Sequence, residues 1–202
     1  MAAVYDRFMK GSEEACLRDW RAALLRELKG EVLEAGAGTG STLALYPDGV
    51  TRVVMCEPDA HMRRKLEAKV GGSRKVEVFP CAVENLSFKD NTFDAVVCSL
   101  VLCSVPDQPA ALAEIRRVLR PGGRLVFLEH VAADSRPQRL KWQRRLEPVW
   151  KHLMDNCHLT RRTEAAIAAA GFEFESIERE SIRKALPVVR PSIRGIARKK
   201  SQ

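Results

Sequence analysis

The first segment with residues suited to ligand chemistry is the glycine-rich loop Glu34-Ala35-Gly36-Ala37-Gly38-Thr39-Gly40. Glycine lets the backbone turn tightly and approach a ligand that a Cβ atom would repel. A helix after such a loop offers free N–H groups. A nicotinamide cofactor calls for G-x-G-x-x-G, but its third glycine would fall on Ser41. The loop therefore predicts a different nucleotide ligand.

A carboxylate follows the second predicted strand. Glu57 lies 17 residues after Gly40 and precedes Pro58. At this place in a nucleotide-binding fold, a carboxylate accepts hydrogen bonds from ribose hydroxyls. The alternative is a solvated surface charge, and the upstream glycine loop favours the ribose role. Met62 follows one helical turn later, and two roles stay open for it: packing on an adenine face and filling the core.

Two further motifs follow in order: Cys81-Ala82-Val83-Glu84 with Phe93-Asp94, then Leu119-Arg120-Pro121-Gly122-Gly123. With the acidic glycine loop, they resemble the class I S-adenosylmethionine-dependent methyltransferases. The resemblance implies S-adenosylmethionine as cofactor. It implies that Glu34 binds the cofactor's ammonium group and that Ala82 and Val83 border the adenine. It also implies that Ser99 and Leu100 line the cofactor cleft.

Four other segments narrow the resemblance: residues 96–105, 128–133, 155–161 and 189–197. They are similar to the animal methyltransferase-like proteins that act as alkyl thiol S-methyltransferases. Those proteins begin with a hydrophobic membrane anchor, and this sequence departs from them there. We therefore expect a soluble relative without the anchor. The acceptor it implies is a small molecule, most specifically an alkyl thiol. A phospholipid amine, a quinone precursor and a non-enzymatic binding module are the alternatives.

A thiol reacts as its thiolate, and a free thiol with a pKa near 8.5 is only slightly ionised at neutral pH. A base near the acceptor would help. His130, at the carboxyl end of the fifth predicted strand, is the candidate, and a histidine that braces the strand end is the alternative. His158 precedes Thr160, a predicted N-cap, and is assigned a structural role.

Strand-like and helix-like segments alternate along the chain. The expected fold is therefore α/β, a Rossmann-like, doubly wound, mostly parallel seven-stranded sheet. We expect a single domain over residues 1–202, with an N-terminal lid helix in 1–29, the core in 30–202 and a helical cover in 137–160. Tyr5 lies before the lid helix and is expected to fold over the cofactor. Apolar residues at helical spacing predict a packed face for the cover: Trp142, Leu146, Trp150 and Leu153.

Composition limits the remaining possibilities. The net charge is +8 over 202 residues, but the basic residues are spread along the chain, which argues against nucleic acid as partner. The same charge leaves open peripheral contact with an anionic membrane. The six cysteines lack zinc-site spacing, so no metal is expected. They are read as free thiols in a reducing, cytoplasmic setting. A monomer is expected.

Overall fold

Seven strands form one sheet in the computed structural model, which describes residues 9–200. The strand order is β3-β2-β1-β4-β5-β7-β6; β1 to β5 are parallel, and β7 is antiparallel to β5 and β6. The predicted mostly parallel seven-stranded α/β sheet is confirmed. The strands are β1 Gly30–Ala35, β2 Val50–Cys56, β3 Val76–Phe79, β4 Phe93–Ser99, β5 Leu119–His130, β6 Phe172–Ser181 and β7 Pro191–Lys199.

Helices cover both faces of the sheet. A π-helical turn, Glu13–Leu17, continues into α1, and a 3₁₀ turn, Leu43–Leu45, follows β1. One apolar cluster joins β-strand residues to α1 and α2, and a second joins the opposite face to α3 and α5. This is the doubly wound arrangement expected from the alternating pattern. The helices are α1 Arg18–Leu25, α2 Ala60–Val70, α3 Gln108–Val118, α4 Pro137–Leu153 and α5 Thr163–Ala169.

The carboxyl ends of the central strands lie side by side. Ala35 at the end of β1 pairs with Cys56 on β2 and with Cys98 on β4, and Cys56 pairs with Phe79 on β3. The four loops that follow these strands therefore leave the sheet at one edge. Ligands bind at this edge in open α/β folds, so the register alone brings the predicted cofactor segments together.

The N-terminal helical segment packs directly on the sheet. Cys16, Leu17 and Trp20 are buried together with Leu128 of β5 and with Ile182. The helical segment also includes residues 9–12. The predicted N-cap Thr160 is wrong, because α5 starts at Thr163.

The apolar stripe of the predicted cover is oriented differently from the expectation. Helix α4 spans Pro137–Leu153, so it begins with the predicted cover and ends before residue 160. Its residues Trp142, Leu146 and Leu153 are exposed. The helix is held by a polar residue: Gln143 is fully buried, accepts from Ala133 N and donates to Val131 O. Apolar residues at helical spacing indicate an amphipathic helix, but they do not indicate which face a buried glutamine will place against the sheet.

Two cysteines are bonded to each other. Cys56 at the end of β2 and Cys81 after β3 form a disulfide across 25 residues. The expectation that all six cysteines are thiols is therefore wrong for this pair; Cys16, Cys98, Cys103 and Cys157 are free. Among residues 9–200, no helix combines the length and apolar character needed to cross a bilayer.

Candidate active site

The glycine loop after β1 has one face open to a ligand. All three glycines have positive φ, between 58° and 78°. A Cβ on Gly36 would lie 2.6 Å from a methyl of Val101, and one on Gly40 would lie 2.7 Å from a methyl of Leu66. A Cβ on Gly38 would meet nothing within 4 Å. Gly36 and Gly40 therefore serve packing, and Gly38 is the position where the backbone faces free space.

Glu57 connects this loop to the end of β2. Its Oε2 accepts a hydrogen bond from Gly38 N at 2.8 Å, and its Oε1 accepts from Asp59 N at 2.9 Å. Burial raises the pKa of Glu57 above its ordinary value of 4.5, although the two backbone N–H groups oppose this. Each carboxylate oxygen has a second lone pair, so Glu57 holds the loop and still has capacity for two hydroxyl donors.

The predicted adenine segment lies next to Glu57. The Cys56–Cys81 disulfide joins the residue before Glu57 to the residue before Ala82. Ala82 is exposed and Val83 is buried. Met62 is half-buried in the first turn of α2, where its backbone N–H is capped by Asp59. Pro58, at the entry to α2, is exposed. Glu84 lies by the start of α3, where Asp107 N donates to its carboxylate at 3.4 Å.

The end of β4 supplies the next wall of the site. Leu100 has φ 60°, a strained conformation for a residue other than glycine that occurs mostly at functional positions. Its N–H donates to Leu128 O at 2.7 Å. Ser99 Oγ accepts from Arg21 Nε at 2.7 Å, and Arg21 pairs with Glu13. The sequence analysis missed Arg21, which lies among apolar residues on an N-terminal helix.

Glu34 has a different environment from the one its motif implies. The side chain is buried, and its carboxylate accepts from Thr42 Oγ1 at 2.6 Å and from the Tyr46 hydroxyl at 2.7 Å. Burial raises the pKa of Glu34, and the two hydroxyls partly offset this. These bonds hold the glycine loop to the segment that follows it. The structure thus gives Glu34 internal partners that the ammonium role did not anticipate.

A buried carboxylate shapes the loop after β4. Glu129 accepts from the backbone N–H groups of Val101, Leu102 and Cys103, at 2.9 to 3.2 Å. Arg161 donates to Leu102 O at 2.6 Å from another segment. Because Val101 fills the space beside Gly36, Glu129 indirectly sets the shape of the glycine loop. The sequence analysis gave Glu129 no role, although it stands beside His130.

His130 lies among sulfur atoms. Its Nε2 is 2.7 Å from Cys157 Sγ, and Cys103 Sγ is close to both. Burial alone would lower the pKa of His130, but the bond to Cys157 and the charge of that thiol raise it. The pKa of Cys157 is lowered, first by its bond with Cys103 and then by His130. His158 donates its backbone N–H to Cys103 O at 2.8 Å, in keeping with the structural role expected for it.

Most of the predicted cofactor residues that the structure describes lie at one edge of the sheet. Ser99 is the last residue of β4, and the others lie on loops: Gly36, Gly38, Glu57, Ala82, Val83 and Leu100. Tyr5 lies outside the described residues. An adenosine cofactor with an amino acid end fits this edge, because Gly38 leaves space that a Cβ would fill and Glu57 keeps free lone pairs for ribose hydroxyls.

Comparison with known proteins agrees with this geometry. Residues 33–127 match the family model described as a methyltransferase domain. The chain is 38% identical to human thiol S-methyltransferase TMT1A over 170 residues, which cover 82% of this chain and 69% of the relative. It is 40% identical to rat thiol S-methyltransferase TMT1B over 163 residues, covering 76% and 66%. The chain thus spans about two thirds of the length of these relatives.

A bacterial relative and two solved structures extend the comparison. Phosphatidylethanolamine N-methyltransferase of Cereibacter sphaeroides is 36% identical over 138 residues, 67% of each chain. An S-adenosylmethionine-dependent methyltransferase from Thermotoga maritima superimposes with a TM-score of 0.72 at 20% identity, covering 99% of this chain and 96% of that one. A geranyl diphosphate methyltransferase solved with S-adenosylmethionine gives 0.70 at 16% identity, covering 93% and 85%.

The solved structures share the fold, and the human relative shares sequence over more than two thirds of its own length. The segments that match include the glycine loop and Glu57, which the structure places together at the carboxyl edge of the sheet. The chain belongs to the S-adenosylmethionine-dependent methyltransferases, in the family of thiol S-methyltransferase TMT1A.

Proposed function

We propose that this chain transfers a methyl group from S-adenosylmethionine to a small-molecule acceptor, and that the acceptor is an alkyl thiol. The observation that carries the proposal is the pairing of Gly38 with Glu57. It presents an open backbone face and a carboxylate with free lone pairs at the ligand edge of the sheet. The names of the relatives TMT1A and TMT1B support the thiol.

Each cofactor residue has a proposed task. Gly38 and Thr39 allow close approach of the backbone, and Glu57 accepts from the ribose hydroxyls. Ala82, Val83 and Met62 border the adenine. Ser99 and Leu100 line the cleft next to the cofactor's methyl-bearing sulfonium. The cofactor supplies an electrophilic methyl group, so the protein's main work is to align the acceptor and exclude water.

His130 requires a revised role. As a base it would need a ring nitrogen directed at the acceptor, but its Nε2 faces Cys157 and its Nδ1 is buried. We therefore propose that His130 acts together with Cys157 and Cys103, and does not take the acceptor's proton alone.

The acceptor is tested by methyl transfer from labelled S-adenosylmethionine to three sets of compounds: alkyl thiols, phenolic quinone precursors, and vesicles that contain phosphatidylethanolamine. We expect turnover with thiols only. The Glu57→Gln variant serves as the cofactor-deficient control. Turnover confined to lipid or quinone would refute the thiol proposal and leave the cofactor site in place.

A lipid acceptor is the second candidate, because a specific surface favours it. Three apolar side chains of α4, Trp142, Val149 and Leu153, are each more than half exposed. Exposed basic residues Lys141 and Arg145 lie on the same helix. An amphipathic helix of this composition binds anionic membrane surfaces, and the Cereibacter sphaeroides relative carries a lipid in its name.

Vesicle sedimentation tests this membrane contact. Salt-sensitive binding to anionic vesicles, lost in a Trp142→Ser/Leu153→Ser variant, would support peripheral contact at α4. Binding to neutral vesicles as strong as to anionic ones, or no binding to either, would contradict peripheral contact at α4. Binding without turnover on lipid would place a thiol methyltransferase at a membrane surface.

Three further expectations remain proposals. We propose a monomer, which sedimentation velocity checks, and no nucleic-acid partner, which a filter-binding assay checks. A cytoplasmic setting was expected from the sequence, whereas the Cys56–Cys81 disulfide is typical of an oxidising one. Counting alkylatable thiols in protein trapped directly from cells decides between them: four thiols indicate the disulfide, and six indicate a reduced pair.

A further inference from the structure

Three side chains that are far apart in sequence meet beside the cofactor cleft. Cys103 lies in the loop after β4, His130 ends β5, and Cys157 lies in the loop after α4. The two sulfur atoms and one imidazole nitrogen all lie within 4.8 Å of one another. Cys103 and His130 are buried, and Cys157 is partly exposed. The cluster therefore has one side that a small molecule can approach.

The backbone around the cluster is fixed by hydrogen bonds. Glu129 accepts from Cys103 N at 3.2 Å. His158 N donates to Cys103 O at 2.8 Å, and Asn156 Nδ2 donates to Ser104 O at 2.7 Å. The loops that carry the two cysteines are thus tied to each other. A ligand set needs this kind of support to keep its geometry.

The polar atoms around the cluster are incompletely paired. His130 is 4% exposed, and its Nδ1 has no hydrogen-bond partner among the described residues. Glu147 Oε2, on the face of α4 that packs over this region, is also buried without one. Buried polar side-chain atoms are normally satisfied, so the surroundings of the two thiols and the imidazole can still bind a further polar or charged group.

We propose that Cys103, His130 and Cys157 bind one Zn²⁺, and that the acceptor thiol takes the fourth coordination position. Two cysteines and one histidine with one position open form a known catalytic zinc set. Ligand distances of about 2.3 Å for sulfur and about 2.0 Å for nitrogen put the ligand atoms of a tetrahedral zinc roughly 3.5 Å apart or slightly more. The spacing in the structure, from 2.7 Å to at most 4.8 Å, brackets this value.

The cluster borders the cofactor cleft on two sides. Val101, two residues before Cys103, fills the space beside Gly36 in the glycine loop. Asp155, two residues before Cys157, adds to the burial effect that raises the pKa of the Glu57 carboxyl group. We therefore expect a thiol at the open coordination position to face the cofactor residues.

This inference rests on the proposed function, for which it supplies the means of activating the acceptor. The acceptor thiol loses its proton to solvent as its sulfur binds the metal. That sulfur then forms the new S–C bond with the methyl carbon while the sulfonium S–C bond breaks. The bonding electron pair stays on the departing thioether sulfur. The products are a methyl thioether, S-adenosylhomocysteine and one proton, and no oxidant or reductant is consumed.

Cobalt substitution tests the site without relying on turnover. Purified full-length protein is stripped with a chelator and titrated with Co²⁺ alone. We expect saturation at one Co²⁺ per chain, with thiolate-to-cobalt charge transfer and visible bands of a tetrahedral ion. Cys103→Ser and Cys157→Ser should each weaken Co²⁺ binding at least tenfold. Cys16→Ser removes a buried thiol outside the cluster and should leave the titration unchanged.

An alkyl thiol is then added to the cobalt protein. A shift of the visible bands is expected if the sulfur enters the fourth position. Absence of thiolate bands in protein that still binds S-adenosylhomocysteine would overturn the metal site and leave the proposed function intact. If the visible bands do not change when the thiol is added, and the chelated protein keeps full turnover, the proposed binding of the acceptor thiol to the metal would be refuted. Bands that respond to the thiol, without any methylated product, would support the site and refute the proposed function.

Discussion

Replacing Glu57 by glutamine tests the cofactor site most directly. The carboxylate holds Gly38 N and Asp59 N and is proposed to accept from both ribose hydroxyls. Glutamine keeps the shape but has only one accepting oxygen. Its NH₂ group can accept neither from the backbone N–H nor from the ribose hydroxyl on its side, so one hydrogen bond to the cofactor is lost. A hydrogen bond to a charged group contributes about 1.5–3 kcal/mol. Losing one such bond, at about 2 kcal/mol, weakens binding about 30-fold, since 1.4 kcal/mol is a factor of about ten.

Calorimetric titration with S-adenosylhomocysteine measures this loss, and pH provides a second readout. Burial raises the pKa of Glu57, and only the ionised form accepts on all its lone pairs. The wild-type affinity should therefore be constant at high pH and fall as pH decreases through this raised pKa, at higher pH than for an ordinary glutamate. Glu57→Gln should flatten that profile.

A matched control separates this effect from a change in net charge. Glu67→Gln removes the same charge from the exposed face of α2, where Glu67 is 52% exposed, and should leave the affinity and its pH profile unchanged. A Glu57→Gln variant that binds within threefold of wild type, or that keeps the acid-dependent loss of affinity, would refute the assignment of Glu57 to the ribose.

Four further predictions address the loops around the cleft. Gly38→Ala should lower stability by only about 1 kcal/mol, from its positive φ, yet weaken S-adenosylhomocysteine binding at least tenfold. Gly36→Ala should cost an additional 1–3 kcal/mol or so from overpacking, as urea unfolding would show. Leu100→Gly should be about 1 kcal/mol more stable than Leu100→Ala, the reverse of the usual order, because only glycine relieves the strain at φ 60°. Reducing the Cys56–Cys81 disulfide should lower stability by about 3 kcal/mol, and the reductant should have no such effect on Cys81→Ser.

The sequence predicted that the glycine loop and Glu57 meet at one edge of the sheet, because the determinants of this arrangement are local. Alternating apolar runs and helical spacing predicted the succession of strands and helices that the structure shows. Gly38 and Glu57 were identified because a glycine loop and a carboxylate follow consecutive parallel strands, and parallel strands end at a common edge. The partners of Glu34 were missed, since nothing in the motif indicates that Thr42 and Tyr46 return to its carboxylate.

The orientation of α4 was not predictable for a related reason. Its apolar residues recur at helical spacing, which predicts a buried face on the assumption that apolar groups seek the core. In the structure the buried face carries Gln143, which satisfies backbone groups at the end of β5. Those groups belong to a distant segment, so their need for a partner is not visible in the helix sequence. The apolar stripe of α4 is therefore part of the protein surface and not of the core.

Spacing rules for metal sites could not have identified the proposed zinc ligands. Such rules detect ligands that a short turn brings together, as in paired C-x-x-C segments. Cys103, His130 and Cys157 are separated by 27 residues at each step, and they meet because two adjacent strand ends and the loop after α4 converge at one edge. The same topology that brings the cofactor residues together also assembles the cluster. A search for metal ligands in this fold should therefore compare residues that follow neighbouring strand ends, whatever their separation in sequence.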